Sequence, residues 1–494
     1  MVSIATTDRT NDMNTRLLFL IGFLAWFAAL SPASSRASAQ GLQRSSYRLL
    51  DGSALYDDCP ICGRPTIAYT LRGTFDLVLA EQNPLFNTYL ITNVQFQAIG
   101  ANGYKITGNG RYQLGGEVAI RQQLVLDLFL DSQPVSFTND TPTPDKLFPL
   151  LSIRSTETTP TLLQVFTLNL VAAPVREIWF STVSGFTPAS GGPRGSGGDL
   201  LSSDGRVVKP VSHFSRALGL PDDKELQLDA FDLQAGGEIL FSLAENQPIS
   251  NLGPLYQGDL LSDRGRIVKR NQELTAAFGF MPPSPDVGLD AITSLADGEF
   301  LFSIRTNMFS ERLGRMLRRG DLLSSGGTVV ASNQQLLSRF HPETTGDFGL
   351  DALFVWPGGE IWFSVEDGFQ DRELGAIGAG DLLSNQGIVV YRNLELMSAF
   401  APIEDLADFG LDGLFVVTDL NVVSTPPHLT NIRKSNVMTH LEWEGPGRVF
   451  QVMRSGRVQG PFEPASPIVP DLSFDVDEAM GADLPTGFYQ VRQW

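Results

Sequence analysis

One acidic residue recurs at a constant spacing in the middle of the chain. Between residues 163 and 420 a Leu-Asp pair occurs four times, each copy 61 residues after the last, and its acidic members are Asp229, Asp290, Asp351 and Asp412. If each pair opens an equivalent strand, the four carboxylates lie at one depth around a common axis, where their oxygens could bind a hard cation such as Ca²⁺. The alternative is structural, because aspartates at strand starts often accept hydrogen bonds from nearby backbone amides.

Two cysteines, Cys59 and Cys62, stand close together in "DDCPICGRP". Their spacing is that of half a zinc site, but the chain has no other cysteine and its four histidines are scattered. A tetrahedral zinc site needs four ligands. In an oxidising compartment the pair is therefore predicted to form a local disulfide. A zinc ion shared between two chains is the alternative.

A basic loop interrupts an otherwise acidic chain. The formal net charge is -19, yet "IRTNMFSERLGRMLRR" carries Arg312, Arg315, Arg318 and Arg319. Because a strongly acidic protein repels nucleic acid and anionic membranes over long range, neither is expected as a partner. The four arginines predict a surface that binds an acidic glycan or a cell-surface protein, and the alternative is a solvated loop without a partner.

The sequence has none of the common catalytic signatures: no G-x-S-x-G elbow, no H-E-x-x-H helix and no phosphate-binding G-x-x-x-x-G-K-[ST] loop. Carboxylates do recur at one strand position, and a pair of them could hydrolyse a glycosidic bond. They are Glu177, Glu238, Glu299 and Glu360. Residues repeated in every unit usually serve the fold, so we expect no catalysis. A carbohydrate-active hydrolase or lyase with carboxylates at the mouth of the fold is the alternative.

The elements that carry these residues repeat with the same period of about 61 residues. Each unit reads as strand, turn, strand, variable loop, strand, tight turn and strand, followed by one helical turn that an Asn is placed to cap. Four strands per unit predict a β-propeller over residues 163–420. We predict that "LDGLFVV" pairs beside "EIWFS" at Glu177, so that four blades close the array. The alternative takes "VFTLNL" at Val165 as the first inner strand and leaves "LDGLFVV" to begin a fifth blade.

The blade order "LDAL", "GEIWFSV", "GDLL" and a short helix resembles that of hemopexin-like four-bladed propellers, whose inner strands begin with Asp-Ala. The resemblance covers about half of the chain and implies ions in the central channel. This sequence departs from the family in its longer units, in lacking the cysteines for the closing disulfide, and in lacking the aromatic pair of the third strand. Arrays of this kind also look like those of exported bacterial proteins.

Two further domains are predicted on either side of the repeats. Residues 66–160 alternate apolar and polar positions between Gly and Asn turns, which predicts a β-sandwich or barrel-like domain after an N-terminal segment at 40–65 that holds the cysteines. Residues 421–430 are a predicted linker. Residues 431–494 resemble a fibronectin type III-like sandwich, with Trp443 in an early strand and Tyr489 in a late one.

The N-terminus predicts export. A basic stretch, the apolar run "LLFLIGFLAWFAAL" and the small residues before Ala39 form a predicted signal peptide at residues 1–39. The run is short for a spanning helix, so no stable membrane span is expected after cleavage, and an uncleaved anchor is the alternative. The sequence as a whole predicts an all-β, secreted, non-catalytic scaffold that binds a polysaccharide or a surface protein through its blade loops.

Overall fold

Strands form most of the regular structure, so the predicted all-β class is confirmed. The computed structural model describes residues 44–100, 103–139, 141–144, 148–221, 226–281, 285–295, 297–420, 425–435, 437–477 and 487–494. The predicted signal peptide at 1–39 and the first part of the predicted linker lie outside these ranges. Within them, no helix has the length and apolar character needed to cross a membrane.

The first sheet has ten strands and closes on itself. The strands are β1 Arg44–Leu49, β2 Ala54–Asp58, β3 Ile67–Gln82, β4 Phe86–Ile99, β5 Lys105–Gly115, β6 Arg121–Leu130, β7 Gln133–Thr138, β8 Thr143–Pro144, β9 Leu151–Glu157 and β10 Val165–Pro174. From β3 to β7 each strand pairs with the next, β7 pairs with β9, and β9 pairs with β10. Closure comes from β1 and β2, which both bridge β10 to β3.

Apolar side chains at alternate positions of the strands fill the inside of this closed sheet. In β6, Leu124, Leu126 and Leu128 are buried, whereas Val125 and Phe129 between them are exposed, as expected when successive side chains point to opposite faces. The closed sheet extends beyond the domain predicted at residues 66–160, because β1 and β2 precede that range and β10 follows it. The segment "VFTLNL" accordingly lies in this first sheet and does not begin the repeats.

Four sheets of four strands follow, and we call them repeat units one to four. The strands of these sheets are β11 Glu177–Ser181, β12 Leu200–Ser202, β13 Arg206–Lys209, β14 Leu228–Leu233, β15 Ile239–Leu243, β16 Leu260–Ser262, β17 Arg266–Lys269, β18 Ile292–Ser294, β19 Phe300–Phe302, β22 Leu322–Ser324, β23 Thr328–Ala331, β24 Leu353–Val355, β25 Ile361–Phe363, β28 Leu382–Ser384, β29 Ile388–Tyr391 and β30 Gly413–Val417. Units three and four each also carry a two-stranded hairpin, β20 Met308–Ser310 with β21 Arg315–Leu317 and β26 Phe369–Asp371 with β27 Gly375–Ile377.

The last strand of the array completes the first unit. β30 pairs antiparallel with β11, with Glu177 opposite Val417 and Ser181 opposite Gly413. Units two, three and four each take all four strands from one stretch of chain. The innermost strands β14, β18, β24 and β30 lie against one another in that order, and β30 lies against β14. The four sheets are therefore joined in a ring without a free inner edge among the described strands.

A short helix ends each unit, and in the last three the first residue is an asparagine that does not serve as the predicted cap. The helices are α1 Val211–Leu218, α2 Asn271–Leu274, α3 Asn333–Leu336 and α4 Asn393–Leu396, with 3₁₀ turns at Ala235–Gly237 and Ala276–Phe278. The N-cap of α4 is Arg392, and the side chain of Asn393 instead donates to the carbonyl of Gly410 and accepts from the amide of Phe409. The asparagine thus holds the segment that leads to the next inner strand.

The C-terminal part contains two three-stranded sheets. Their strands are β31 His428–Lys434, β32 Met438–Glu444, β33 Phe450–Ser455, β34 Glu463–Pro464, β35 Ser473–Asp477 and β36 Phe488–Gln493. Trp443, Phe450 and Val452 lie in a small core between the sheets. Trp494 joins the larger core of repeat units one and two together with Trp179. This part is therefore docked on the repeat ring.

Candidate functional site

The repeated aspartates do come together at the centre of the ring. All four are buried, and Asp290 is only 1% exposed. Burial raises the pKa of Asp290 and of Asp351 well above the usual range, and the negative charges of the neighbouring aspartates raise it further. The same cause raises the pKa of Asp229 to about 7, although Arg305 opposes it.

A guanidinium, which the sequence did not point to, lies against two of these carboxylates. Arg305 Nη1 is 3.5 Å from Asp229 Oδ2, and Arg305 Nε is 3.4 Å from Asp290 Oδ1. Burial would lower the pKa of Arg305, but the carboxylates of Asp229 and Asp290 outweigh it and raise the pKa. The arginine follows β19 of unit three, and among the described residues it is the cation paired with the aspartates of the ring.

The calcium ion predicted at the aspartate ring stays a prediction. In the part of the chain that the structure describes, no group of three or more His, Cys, Asp or Glu side chains is arranged to hold a metal. Calcium requires six to eight oxygen ligands. Here the guanidinium of Arg305 supplies positive charge beside Asp229 and Asp290, and the raised pKa values favour protonated carboxyls in the ring.

Next to the aspartates, serines join units two, three and four each to the following unit. Ser242 Oγ donates to the carbonyl of Leu289 at 2.8 Å, and Ser303 Oγ donates to that of Leu350 at 2.6 Å. Ser364 repeats this bond with Leu411. These carbonyls belong to the Leu-Asp pairs, so the repeated motif marks the seam between units. This contact supports the structural interpretation of the aspartates.

The recurring glutamates are used inside their own units. Each accepts a hydrogen bond from the serine that ends the third strand of its unit, as Ser324 Oγ does to Glu299 at 2.6 Å. Glu360 also accepts from the indole of Trp362 and from the backbone amide of Asp51. The pairs are Glu177 with Ser202, Glu238 with Ser262, Glu299 with Ser324 and Glu360 with Ser384. These carboxylates cross-link strands of their own units.

Cys59 and Cys62 are joined by a disulfide bond in the structure. The bond closes the turn after β2, and Cys59 is buried. A disulfide leaves no thiolate for a zinc ion.

The structure separates the four arginines of the basic loop. Arg312, Arg315 and Arg318 lie on or beside the hairpin β20–β21, which we call the third-unit hairpin. Arg315 pairs with Asp321 at 3.3 Å. Arg319 turns away to unit four, where it pairs with Glu366 at 2.6 Å and with Asp367. Three of the four arginines therefore remain for the predicted binding surface, and the fourth, Arg319, joins units three and four.

An apolar pair accompanies these arginines on the outer face of the hairpin. Phe309 and Met316 are cross-strand partners and are 43% and 48% exposed. Leu313 at the turn is also exposed. In the corresponding hairpin of unit four, β26–β27, the outward pair is Gln370 with Ala376. The sequence interpretation missed this pair, although the alternation in "MFS" and "RML" indicates it.

A second site, which no sequence motif indicated, is a cavity of about 370 Å³ where the first sheet meets the C-terminal part. Tyr47, Tyr89 and Phe148 line it from the first sheet, and Arg492 and Trp494 line it from the C-terminal part. We call it the junction pocket. Its full lining is Ser45, Tyr47, Leu77, Tyr89, Phe148, Pro149, Asp419, Arg492, Gln493 and Trp494.

One carboxylate organises the polar side of the junction pocket. Arg176 donates to both oxygens of Asp419, at 2.5 and 2.6 Å. The indole of Trp494 and, at 3.2 Å, Arg492 Nη2 also donate to Asp419. Burial opposes ionisation of Asp419, but the hydrogen bonds and charge of Arg176 outweigh it and hold the pKa below its ordinary value. Asp419 is therefore ionised and fully engaged.

Comparison with known proteins identifies no family for this chain. No family model matches the sequence, and no curated protein gives a significant match. Two solved structures with similarity are extracellular domains of hybrid two-component systems from B. thetaiotaomicron. The first has 10% identity and a TM-score of 0.19 and covers 89% of this chain and 82% of its own. The second has 9% identity and a TM-score of 0.20 and covers 87% and 81%. Such TM-scores carry no argument about fold or function.

Proposed function

We propose that this protein is an exported, non-catalytic scaffold, a four-bladed β-propeller between two β domains, that binds an acidic polysaccharide through the third-unit hairpin. Four four-stranded sheets with their inner strands in a ring support the propeller. The N-terminal residues 1–39 support export, since they have the order of a signal peptide. The role of the aspartates in this proposal is to hold the units together.

The observation that carries the proposal is the outer face of the third-unit hairpin. It places Phe309 and Met316 beside Arg312 and Arg318 on a protein whose net charge is strongly negative. The Arg318 side chain makes no hydrogen bond or ion pair with any described residue, and Arg312 donates only to the carbonyl of Ala277. Both guanidiniums therefore have donors left for a ligand.

The chemistry of these side chains suits a polymer that carries carboxylates. A guanidinium presents a planar fork of donors that matches a carboxylate bidentately. An exposed aromatic ring such as Phe309 offers a flat apolar face beside it. A polymer of uronic acids presents both a carboxylate and an apolar ring face in each residue, so its repeat can satisfy both halves of the hairpin.

A cell-surface protein is the second candidate, because methionine, aromatic and arginine side chains are enriched at protein interfaces. Phe309, Leu313 and Met316 together form a small exposed apolar surface of this composition. A protein partner would depend mainly on these apolar side chains, whereas a polyuronate would depend mainly on the arginines.

The alternative of a hydrolase or lyase has less support. The recurring glutamates accept hydrogen bonds from serines of their own units, and the central aspartates are buried. A substrate would have to displace these contacts to reach the carboxylates.

The test is affinity electrophoresis of the mature chain in gels that contain polygalacturonate or, as the neutral control, dextran. We expect polygalacturonate to retard the wild type and dextran to leave it unaffected. We expect 0.5 M salt to weaken the retardation, because salt shortens the Debye length from about 10 Å at 0.1 M toward about 3 Å at 1 M. The double variant R312Q/R318Q is expected to lower the affinity by about tenfold or more. R372Q, in the corresponding turn of unit four, is the matched control and is expected to bind as the wild type does.

Three outcomes contradict the proposal. Unchanged binding of R312Q/R318Q shows that the hairpin is not the site. If F309A/M316A loses the retardation but R312Q/R318Q keeps it, the result favours a surface that binds a protein. Release of reducing sugar ends from polygalacturonate during the experiment shows that the protein is catalytic after all.

A further inference from the structure

The junction pocket has the features of a small-molecule site that is independent of the third-unit hairpin. We propose that it binds a small aromatic carboxylate, with the ring between Tyr89, Phe148 and Trp494 and the carboxylate on Arg492. Its volume of about 370 Å³ lies within the range of roughly 300–1,000 Å³ typical of ligand pockets.

The aromatic wall from the first sheet is held in place from behind. Tyr89 and Phe148 lie 5.9 Å apart between ring centroids, and both contact Tyr112, whose ring stacks on Phe148. Tyr47 stacks on Phe75 at 5.2 Å. Because these rings pack on the core, their positions do not have to be fixed by the ligand. A preformed apolar wall lowers the entropic cost of binding a flat ring.

The opposite wall is equally well supported. The backbone amide of Trp494 donates to the carbonyl of Val449 at 3.0 Å, and its indole donates to Asp419. The guanidinium of Arg492 lies 4.8 Å from the Trp494 ring centroid, and that of Arg176 lies 5.1 Å from it. Trp494 is therefore fixed between the repeat ring and the first sheet, next to two guanidiniums.

Arg492 gives the pocket its preference for an anion. Asp419 and Arg492 are the one acidic and the one basic side chain that line the pocket, and Asp419 is already bonded at both oxygens by Arg176. Arg492 makes a single hydrogen bond to a described residue, at 3.2 Å. A guanidinium has five N–H donors. The remaining donors of Arg492 can therefore hold a ligand carboxylate.

A buried hydroxyl supplies a second polar contact. Tyr47 lines the pocket and is only 2% exposed, and its hydroxyl has no hydrogen-bond partner among the described residues. Burial and the negative charge of Asp419 raise the pKa of Tyr47, so its hydroxyl stays protonated and can donate. A ligand oxygen in the pocket would give this donor a partner.

The experiment is isothermal titration of the full mature chain with phenylacetate and indole-3-acetate. Phenylacetamide tests the carboxylate, since it keeps the ring and loses the charge, and acetate tests the ring. We expect both aromatic acids to bind and both controls to bind at least about tenfold more weakly. R492Q is expected to lose about tenfold in affinity for the acids. R433Q is the matched control, because Arg433 lies in the same C-terminal part with a side chain that is 73% exposed.

A second variant keeps the test valid if R492Q folds poorly. S45F leaves every charged contact of the pocket in place and fills part of its volume, because Ser45 lines the pocket from β1. It is expected to abolish binding while the melting temperature changes little. The proposal is overturned if neither acid binds the wild type at millimolar concentration, if phenylacetamide binds as well as phenylacetate, or if S45F binds normally. R312Q/R318Q, which tests the hairpin, should leave these titrations unchanged, so the two proposals can fail separately.

Discussion

The aspartate ring and the junction pocket both place an arginine beside buried carboxylate, but they are built in opposite ways. The ring takes one residue type from the same position of four repeat units. The pocket takes different residues from the first sheet, from the end of the repeats and from the C-terminal part, and none of them recurs. Repetition here marks residues that hold units together, and asymmetry marks the place where a ligand can be recognised.

The aspartate ring and the junction pocket also differ in how their charges are balanced. In the ring, Arg305 lies against Asp229 and Asp290, so positive charge is supplied from within. In the pocket, Arg176 satisfies Asp419, and Arg492 keeps donors for something else. The first arrangement lowers the cost of burying charge, whereas the second leaves a cation available to a ligand.

The largest effect is expected from removing the cation of the aspartate ring. R305M keeps most of the side-chain volume but leaves Asp229 and Asp290 without their positive partner. Removing one partner of a buried ion pair typically costs about 3–5 kcal/mol of unfolding free energy. We expect a loss of unfolding free energy of that order at pH 8 in denaturant titrations, and a smaller loss at pH 5, where the carboxyls can take up protons.

R312M is the matched control for R305M, because Arg312 is exposed and bonds only to a backbone carbonyl. It is expected to change stability by less than about 0.5 kcal/mol. Millimolar calcium is expected to leave the melting temperature of the wild type unchanged. A rise with calcium that EDTA reverses would mean that the ring binds the ion after all.

The second effect is a dependence of stability on pH. The pKa of Asp229 is about 7 in the folded chain and about 3.9 in an unfolded one, so the folded chain binds more protons between these values. Its contribution to stability is fully present below about pH 4 and is lost as the pH rises through about 7. Burial raises the pKa of Asp290 and Asp351 in the same direction.

We therefore expect a lower free energy of unfolding at pH 8 than at pH 5, measured at constant ionic strength. D229N removes one of the titrating groups and is expected to make this dependence shallower. Groups such as Asp371 and Asp419, whose pKa is lowered, act in the opposite direction but only below about pH 4. A stability that rises from pH 5 to pH 8 would contradict the protonated ring.

The smallest effect concerns the serines at the seams between units. S303A removes a buried hydrogen bond to the carbonyl of Leu350 and is expected to cost about 1–2 kcal/mol. Ser181 occupies the same position of unit one, but its buried hydroxyl has no partner among the described residues. S181A is thus the matched control and is expected to be neutral or slightly stabilising. Equal losses in both variants would show that packing, not the hydrogen bond, joins the units.

Much of the fold was predictable because the information is local. The spacing of 61 residues, the alternation in strands such as β6 and the apolar pair of Leu396 in the last helix and Phe400 in the turn after it can all be read from neighbouring residues. The pairing of "LDGLFVV" with "EIWFS" was one of two predicted alternatives, and the structure has this pairing. The role of Asn393 was not predictable, because the same asparagine at the start of a helix can either cap that helix or bond to the segment that leads to the next strand.

What the sequence by itself determined is the all-β class and the positions that recur, since strand periodicity and repeat length depend on residues a few positions apart. Only the tertiary structure decided which partner each charge has. Arg305 and Asp229 are 76 positions apart, and Ser45 and Trp494 at opposite walls of the junction pocket are separated by almost the whole described chain. The packing of separate sheets brings such residues together, and no spacing along the chain predicts that packing.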